Sequence, residues 1–168
     1  MSKRQSFNYR NRPPAGFTLV ELMIVVAVVG VLSMMALGGF QWVTQSQRVK
    51  ASVFDLFASL TVARSEAIKR NGNVTITPAG GSWQGGWTIT SGGVTIKTQA
   101  ALSGVTVTGG TGAGTLPATV LYTKSGRLAA GAAVASFQVD AGATTTDHVR
   151  CVKIELSGLP RTSKGACP

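Results

Sequence analysis

The chain has 168 residues, a length that suits one domain of modest size with an additional segment. Its mean hydropathy of +0.24 is high for a small soluble protein. The 16 basic residues outnumber the 6 acidic residues and give a net charge of +10, which favours a polyanionic partner. However, 4 of the basic residues precede Gly16, and loss of that segment would lower the net charge to +6. Charge alone therefore does not assign nucleic-acid binding.

The first 40 residues have the charge pattern of a membrane anchor. Residues 1–16 are basic and polar, and no apolar run precedes Gly16, unlike in an ordinary secretory signal. Residues 17–40 are apolar and include one charged residue, Glu21. A helix of this length measures about 36 Å, enough to cross a hydrocarbon core of about 30 Å. Because basic residues precede the span and the next one is Arg48, we expect the N-terminus in the cytoplasm and the bulk of the chain outside it.

The junction between these segments resembles a known signal. Residues 16–26 read GFTLVELMIVV, which is similar to the class III signal of type IV pilins and of the pseudopilins of type II secretion. The resemblance implies that residues 1–16 are a leader, that a prepilin peptidase cuts between Gly16 and Phe17, and that the new Phe17 terminus is N-methylated. It also implies a role in filament assembly for Glu21. A carboxylate inside an apolar span costs about 2–3 kcal/mol, so it needs a partner or a protonated state.

The same resemblance implies partners and a location. The partners are the prepilin peptidase, other pilins or pseudopilins that contact the N-terminal helix, an inner-membrane assembly platform and membrane lipid. The location is the bacterial inner membrane, with a single pass, a periplasmic head and later incorporation into a pilus or pseudopilus. No cofactor is implied.

Residues 41–71 have the periodicity of an amphipathic helix. Apolar residues recur at spacings of three, four and seven from Val49 to Ile68. Glu66 lies four positions before Arg70, an arrangement that favours an ion pair on a helix. Asn71 and the glycine after it form a helix-ending signal. We therefore predict one helix from Phe17 to Asn71, with its first half in lipid and its second half packed on the head.

Residues 72–168 have the pattern of a β-rich domain. Short runs in which β-branched residues alternate with threonine are separated by glycine-rich turns. We predict an α+β fold in which the long N-terminal helix packs on an antiparallel, β-sandwich-like head. The segments 104–117 and 129–135 are predicted to be surface connections. The predicted strands are 74–77, 87–90, 94–97, 105–108, 119–123, 136–139 and 149–156.

Two strands of the head end in the same turn sequence. One apolar strand enters Ser125-Gly126, and the last predicted strand enters Ser157-Gly158. Together with the long helix, this layout resembles the GspH/FimT group, which comprises the H pseudopilin of type II secretion and the FimT and FimU minor pilins. The resemblance implies a structural subunit that acts near the tip of a pilus or pseudopilus. It leaves open which of the two machines the chain serves.

The remaining reactive residues do not form a catalytic set. Cys151 and Cys167 are the only cysteines, and outside the cytoplasm we expect them to form a disulfide, which contributes about 3 kcal/mol. His148, beside Asp147, is interpreted as a solvated loop residue. No nucleophile motif, phosphate-binding loop or metal-ligand spacing is present in the sequence. We therefore predict that the chain is not an enzyme.

DNA binding is the alternative function. FimT-type pilins carry Gly-Arg-x-Arg near the C-terminus, where guanidinium groups can bind phosphates. Here Leu159 replaces the first arginine, and Arg161 matches the second. The chain could present a basic patch to DNA, as a pilus-associated receptor for natural transformation. The residues of that predicted patch are Arg150, Lys153, Arg161 and Lys164.

Overall fold

The computed structural model describes residues 16–110, 116–130, 135–142 and 148–167, and only the backbone at 35–39. The predicted leader therefore lies outside the described residues, apart from Gly16. The predicted connections 104–117 and 129–135 lie partly outside them. The chain divides into two compact units at the boundary between Phe40 and Gln41.

The helix α1 spans Leu19–Lys69. It begins two residues after the predicted start because Thr18 caps its N-terminus. The Thr18 side-chain oxygen accepts a hydrogen bond from the backbone N–H of Glu21 at 3.2 Å. This is the N-cap arrangement, in which a threonine satisfies an N–H that has no partner in the first turn. Glu21 occupies the position at which an acidic residue favours the positive end of the helix dipole.

The C-terminal end of α1 is closed by Asn71. This residue has a positive φ of 48°, in the left-handed region. The Asn71 N–H donates to the carbonyl of Ile68 at 3.2 Å, and the Gly72 N–H donates to that of Ala67 at 3.1 Å. These two bonds form a Schellman motif, which ends a helix by satisfying its last carbonyl groups. The predicted Asn-Gly stop signal is therefore confirmed.

The predicted ion pair in the last turns of α1 is also present. The Arg70 Nε lies 2.6 Å from a carboxylate oxygen of Glu66, and Lys69 Nζ lies 3.5 Å from the other oxygen. The hydrogen bond from Arg70 lowers the pKa of Glu66. The pKa of Glu66 in the folded chain lies below the ordinary value of a glutamate. The ion pair therefore stabilises the fold at pH values above that ordinary value, and its contribution is lost as the pH falls through the lowered pKa.

In the described residues, no helix is both long enough and apolar enough to cross a membrane. The membrane span over 17–40 therefore stays a prediction.

In the described residues, eight strands follow α1 and form two antiparallel sheets. The first sheet has the order β3-β2-β1-β5, and the second has the order β4-β6-β7-β8. This arrangement agrees with the predicted α+β class. The strands are β1 Val74–Pro78, β2 Trp87–Ser91, β3 Val94–Gln99, β4 Thr106–Thr108, β5 Val120–Tyr122, β6 Ala135–Asp140, β7 Arg150–Ile154 and β8 Pro160–Lys164.

Two features of the head differ from the sequence prediction. The strand expected over 149–156 ends at Ile154, and β8 follows as an eighth strand that was not predicted. The pattern of β8 carries no signal because, after the buried Pro160, its four remaining residues are all exposed. Two short 3₁₀ turns, Ala79–Gly81 and Trp83–Gly85, also interrupt the connection between β1 and β2.

One apolar face of α1 shares a single core with both sheets. Trp83 links the two sheets, since its ring centroid lies 4.8 Å from Phe137 of β6 and 6.0 Å from Trp87 of β2. The Trp83 indole N–H donates to the carbonyl of Pro117 at 2.7 Å, so its polar atom is satisfied inside the core. The helix contributes Val49, Val53, Leu56, Leu60, Ala63 and Ala67 to this core.

The two Ser-Gly turns noted in the sequence meet in the folded head. Gly126 and Gly158 have φ values of 72° and 80°, in the left-handed region. A Cβ atom on Gly158 would collide with the backbone carbonyl of Gly126. The same carbonyl accepts a hydrogen bond from Arg64 Nε of α1 at 2.9 Å. The repeated turn therefore joins the helix to the ends of β5 and β7.

Replacement of Gly158 tests this joint. We expect Gly158→Ala to lower the free energy of unfolding by about 2 kcal/mol or more, because it adds a steric collision to the strain of a positive φ. The measurement is thermal unfolding of the full-length chain, followed by tryptophan fluorescence. Gly142→Ala is the matched control, since Gly142 has a φ of 68° and open space around its Cα. Equal losses in the two variants would show that the contact with Gly126 is not tight.

Candidate functional site

The predicted processing site lies at the exposed start of α1. Gly16 is exposed and has open space around it, and the Phe17 side chain is 83% exposed. Glu21 is exposed one turn further on, and in the described residues its carboxylate makes no ion pair. The described residues therefore leave the Gly16–Phe17 bond uncovered. The carboxylate is available to a charge that comes from outside the described chain.

The apolar side chains that follow are also exposed. The large apolar residues from Phe17 to Met34 are each more than half exposed. Isolated exposed apolar residues are normal on a soluble protein, but a continuous surface of this kind marks contact with lipid or with protein. This segment of α1 therefore needs a partner surface that the described residues of its own unit do not supply.

The four predicted DNA-contact residues all lie on the β7–β8 hairpin. Arg150 pairs in register with Lys164, and Lys153 pairs with Arg161. Because side chains alternate along a strand, these two pairs face opposite sides of the sheet. Arg150 and Lys164 share a face with the buried Val152, which packs on α1. The hairpin therefore brings the residues together as two separate pairs.

The pair on the outer face of the sheet, Lys153 and Arg161, is also partly neutralised. Arg161 Nε lies 2.6 Å from a carboxylate oxygen of Glu155, which is 41% exposed. A phosphate that approached Arg161 would compete with this carboxylate. Lys153 is exposed on the same face. The geometry thus provides one weak cationic pair on each face, and a single convergent patch is not formed by these four residues.

A disulfide joins Cys151 of β7 to Cys167, with Cα atoms 5.0 Å apart. Both cysteines are buried. The backbone N–H of Cys167 donates to the side-chain oxygen of Gln138 on β6 at 3.3 Å. Gly110 packs so closely on this region that an added Cβ would meet both Cys167 and Ser136. The disulfide therefore holds the C-terminal segment on the outer face of the second sheet.

The interpretation of His148 as a solvated loop residue is wrong. Its side chain is 3% exposed, and its ring lies 5.2 Å from that of Trp42 in an edge-on arrangement. Within the part of the chain that the structure describes, neither ring nitrogen has a hydrogen-bond partner. Polar neighbours in the sequence indicated solvent exposure, but the indole of a distant helix residue covers the imidazole. Local sequence carried no signal for that long-range contact.

Sequence reasoning also missed a groove between α1 and the β7–β8 hairpin. The groove has a volume of about 330 Å³. Phe54, on its wall, is 70% exposed and lies off the buried stripe of the helix. An aromatic residue on the polar face of a predicted amphipathic helix is the signal that could have indicated it. The groove is lined by Lys50, Val53, Phe54, Phe57, Arg150 and Thr162.

The described residues contain no cluster of His, Cys, Asp or Glu that could hold a metal ion.

Comparison with known families assigns the chain to one of them. Residues 53–158, more than half of the sequence, match the family described as type II transport protein GspH. The chain belongs to the GspH family. A second match, to the prokaryotic N-terminal methylation motif, covers residues 11–37 of this GspH-family chain. The two matches cover the head and the start of α1 separately.

Curated relatives of this GspH-family chain carry fimbrial names. Two Pseudomonas aeruginosa proteins named fimbrial protein are 41% identical over 54 residues, 32% of this chain and 35% of theirs. The match thus spans about a third of the length of those relatives. Fimbrial protein Q of Moraxella bovis is 36% identical over 109 residues, which cover 62% of this chain and 68% of that protein.

Solved structures show the same fold. A crystal structure of the type IV minor pilin FimU of Pseudomonas aeruginosa matches with a TM-score of 0.61 and 19% identity, over 74% of this chain and 96% of that one. A second crystal form matches with a TM-score of 0.57, over 70% of this chain and 96% of that one. The predicted α+β pilin fold is confirmed by this likeness.

Removal of the disulfide tests its role in the head. We expect the double variant Cys151→Ser, Cys167→Ser to lose about 3 kcal/mol of unfolding free energy, because the unfolded chain regains the entropy of an open loop. The measurement is thermal unfolding of the full-length chain with and without a reductant. Reductant should destabilise the wild-type chain to the same extent and leave the double variant unchanged. A wild-type unfolding curve that does not respond to full reduction would contradict this role.

Proposed function

We propose that this GspH-family chain is a minor pilin or pseudopilin, a structural subunit of a type IV pilus or of a type II secretion pseudopilus. The observation that carries the proposal is the methylation motif over 11–37, which overlaps the start of a helix whose large apolar side chains are exposed from Phe17 to Met34. Such a surface is stable only when lipid or the helices of other subunits cover it. The subunit thus has two successive environments, the membrane and the filament.

The first step of the proposal is processing. The prepilin peptidase cuts between Gly16 and Phe17 and methylates the new Phe17 amine. The exposure of both residues and the capped start of α1 at Thr18 support this assignment, because the scissile bond lies outside the hydrogen-bonded helix. Cleavage also removes the basic leader, which favours the cytoplasmic side of the membrane.

The second step is assembly. Glu21 lies one turn after the new amine, and in the described residues its carboxylate has no partner charge. In the filament, this carboxylate pairs with the Phe17 amine of a neighbouring subunit. A buried pair is tolerated when both charges are present, but removal of one leaves the other uncompensated. The pair therefore sets the register between neighbouring helices.

The proposed membrane anchor and cellular location follow from the same N-terminal segment. The subunit is held in the inner membrane by residues 17–40, with its head in the periplasm, until an assembly platform adds it near the tip. The family description points to secretion, whereas the curated relatives are fimbrial proteins. Both machines use a subunit of this form. The DNA-receptor alternative stays a prediction that rests on Arg150, Lys153, Arg161 and Lys164.

Replacement of Gly16 tests processing. We expect Gly16→Trp to leave the precursor uncut, since the peptidase must accommodate the residue before the scissile bond. The measurement is the apparent mass of a C-terminally tagged chain on an immunoblot. Gly30→Leu, within the same apolar segment, is the control that should be cut normally. A Gly16→Trp chain of mature size would contradict the assigned site.

Replacement of Glu21 tests assembly separately. We expect Glu21→Gln to be cut and methylated but to fall at least about tenfold in the sheared filament fraction, because the neighbouring amine loses its partner. Glu21→Asp keeps the charge and should retain part of the assembly. The measurement compares the filament fraction with the total mature protein. Wild-type amounts of Glu21→Gln in the filament would rule out the charge pair.

A further inference from the structure

The groove between α1 and the β7–β8 hairpin has an apolar floor and a cationic rim. Val53 is buried at its base, and Phe54 and Phe57 form its helical wall. The positions of Lys50, Phe54 and Phe57 follow the spacing of one helix face, so these side chains line a single stripe. An apolar stripe of this kind beside a sheet is suited to a partner side chain.

Strand β8 provides the opposite wall and lies at the edge of its sheet. The Gly165 N–H donates to the Val149 carbonyl at 2.9 Å, and the Glu155 N–H donates to the Leu159 carbonyl at 3.1 Å. Both bonds join odd-numbered residues of β7 and β8 or their flanks. Along an antiparallel pair of strands, residues whose backbone groups bond to the partner strand alternate with residues whose backbone groups point away from it. The backbone N–H and C=O groups of Thr162, an even-numbered residue, therefore point away from β7. They face the open edge of the sheet.

The charges around the groove have one sign. Among the described residues that line it, Lys50 and Arg150 are charged and none is acidic. Asp55, which directly follows Phe54 on α1, accepts a hydrogen bond from Gln99 of β3 at 3.4 Å. Glu155 is paired with Arg161. The groove thus favours a carboxylate-bearing ligand over a neutral or basic one.

We propose that this groove binds an extended, acidic segment of a partner protein, which adds as a strand to the open edge of β8. Its backbone bonds to Thr162, an apolar side chain enters between Phe54 and Phe57, and its carboxylates pair with Lys50 and Arg150. Strand addition of this kind takes affinity from the main chain and specificity from alternate side chains. A second copy of the chain is a poor occupant, since even without residues 1–16 it has 6 acidic residues against 12 basic ones.

The surface lies in the head and makes no use of Gly16, Phe17 or Glu21. Failure of the groove to bind would therefore leave the filament-subunit proposal unchanged. Conversely, a chain that is never cleaved would keep this groove. The two proposals can be separated by experiment.

The test uses the full-length chain in lipid nanodiscs and labelled peptides followed by fluorescence anisotropy. The probe is the peptide Thr-Glu-Thr-Phe-Thr-Glu-Thr, which puts glutamate and phenylalanine on one face of a strand. One comparison peptide has lysine in place of glutamate. Another is methylated on every backbone nitrogen from the second to the sixth residue, so that it keeps the side chains but cannot donate to a strand edge in either strand direction. We expect the probe to bind at least about tenfold more tightly than either.

Variants of the chain locate the binding. We expect Phe54→Ala and Arg150→Gln each to weaken probe binding at least about fivefold. The matched control is Lys153→Gln, which removes a charge from the opposite face of β7 and should not change the affinity. Equal affinity for the acidic and the lysine peptide, or equal losses in Arg150→Gln and Lys153→Gln, would overturn the proposal. Tighter binding of a DNA duplex that is lost in Arg150→Gln would also overturn it.

Discussion

Burial of one face of α1 against two sheets at once is the constraint on which the head depends. In the described residues α1 is the one α-helix, and both sheets share its stripe from Val49 to Ala67. Each fully buried leucine or valine contributes about 1.5–3 kcal/mol. Trp83 then closes the core between the sheets through its contacts with Phe137 and Trp87. The helix position thereby determines where each sheet edge lies.

The placement of the strand edges has functional consequences. Because β7 packs its even-numbered side chains on α1, Arg150 is directed toward the helix and Lys153 toward solvent. The basic residues that appear as one cluster in the sequence are thus divided between two environments. The same packing leaves β8 beside an exposed phenylalanine of α1. The surface between β8 and α1 therefore has both positive charge and an open strand edge.

The N-terminal and C-terminal parts of α1 differ in the exposure of their apolar side chains. From Phe17 to Met34 the large apolar side chains are exposed, whereas from Val49 onward one face is buried in the head. Thr18 and Asn71 define the two ends through hydrogen bonds and a positive φ. A long helix that carries both a buried stripe and an exposed apolar surface is suited to a subunit that must join others.

Much of this architecture could be predicted because its signals are local. Period-2 alternation indicated four of the seven predicted strands, helical periodicity indicated α1, and Asn71 indicated its end. The features that were missed depend on contacts between distant residues. β8 has four exposed polar residues and forms a strand because β7 pairs with it. His148 is buried and contacts Trp42, which is distant in sequence, and the groove is formed where β8 lies beside Phe54.

The central claim is that α1 begins with a processed and methylated terminus. Intact-mass and N-terminal fragment analysis of the protein extracted from its native membrane tests it most directly. Our account predicts a mature chain that begins with N-methylphenylalanine at position 17, with residues 1–16 removed. A chain that retains its leader, or one that begins at any other residue, would contradict the account.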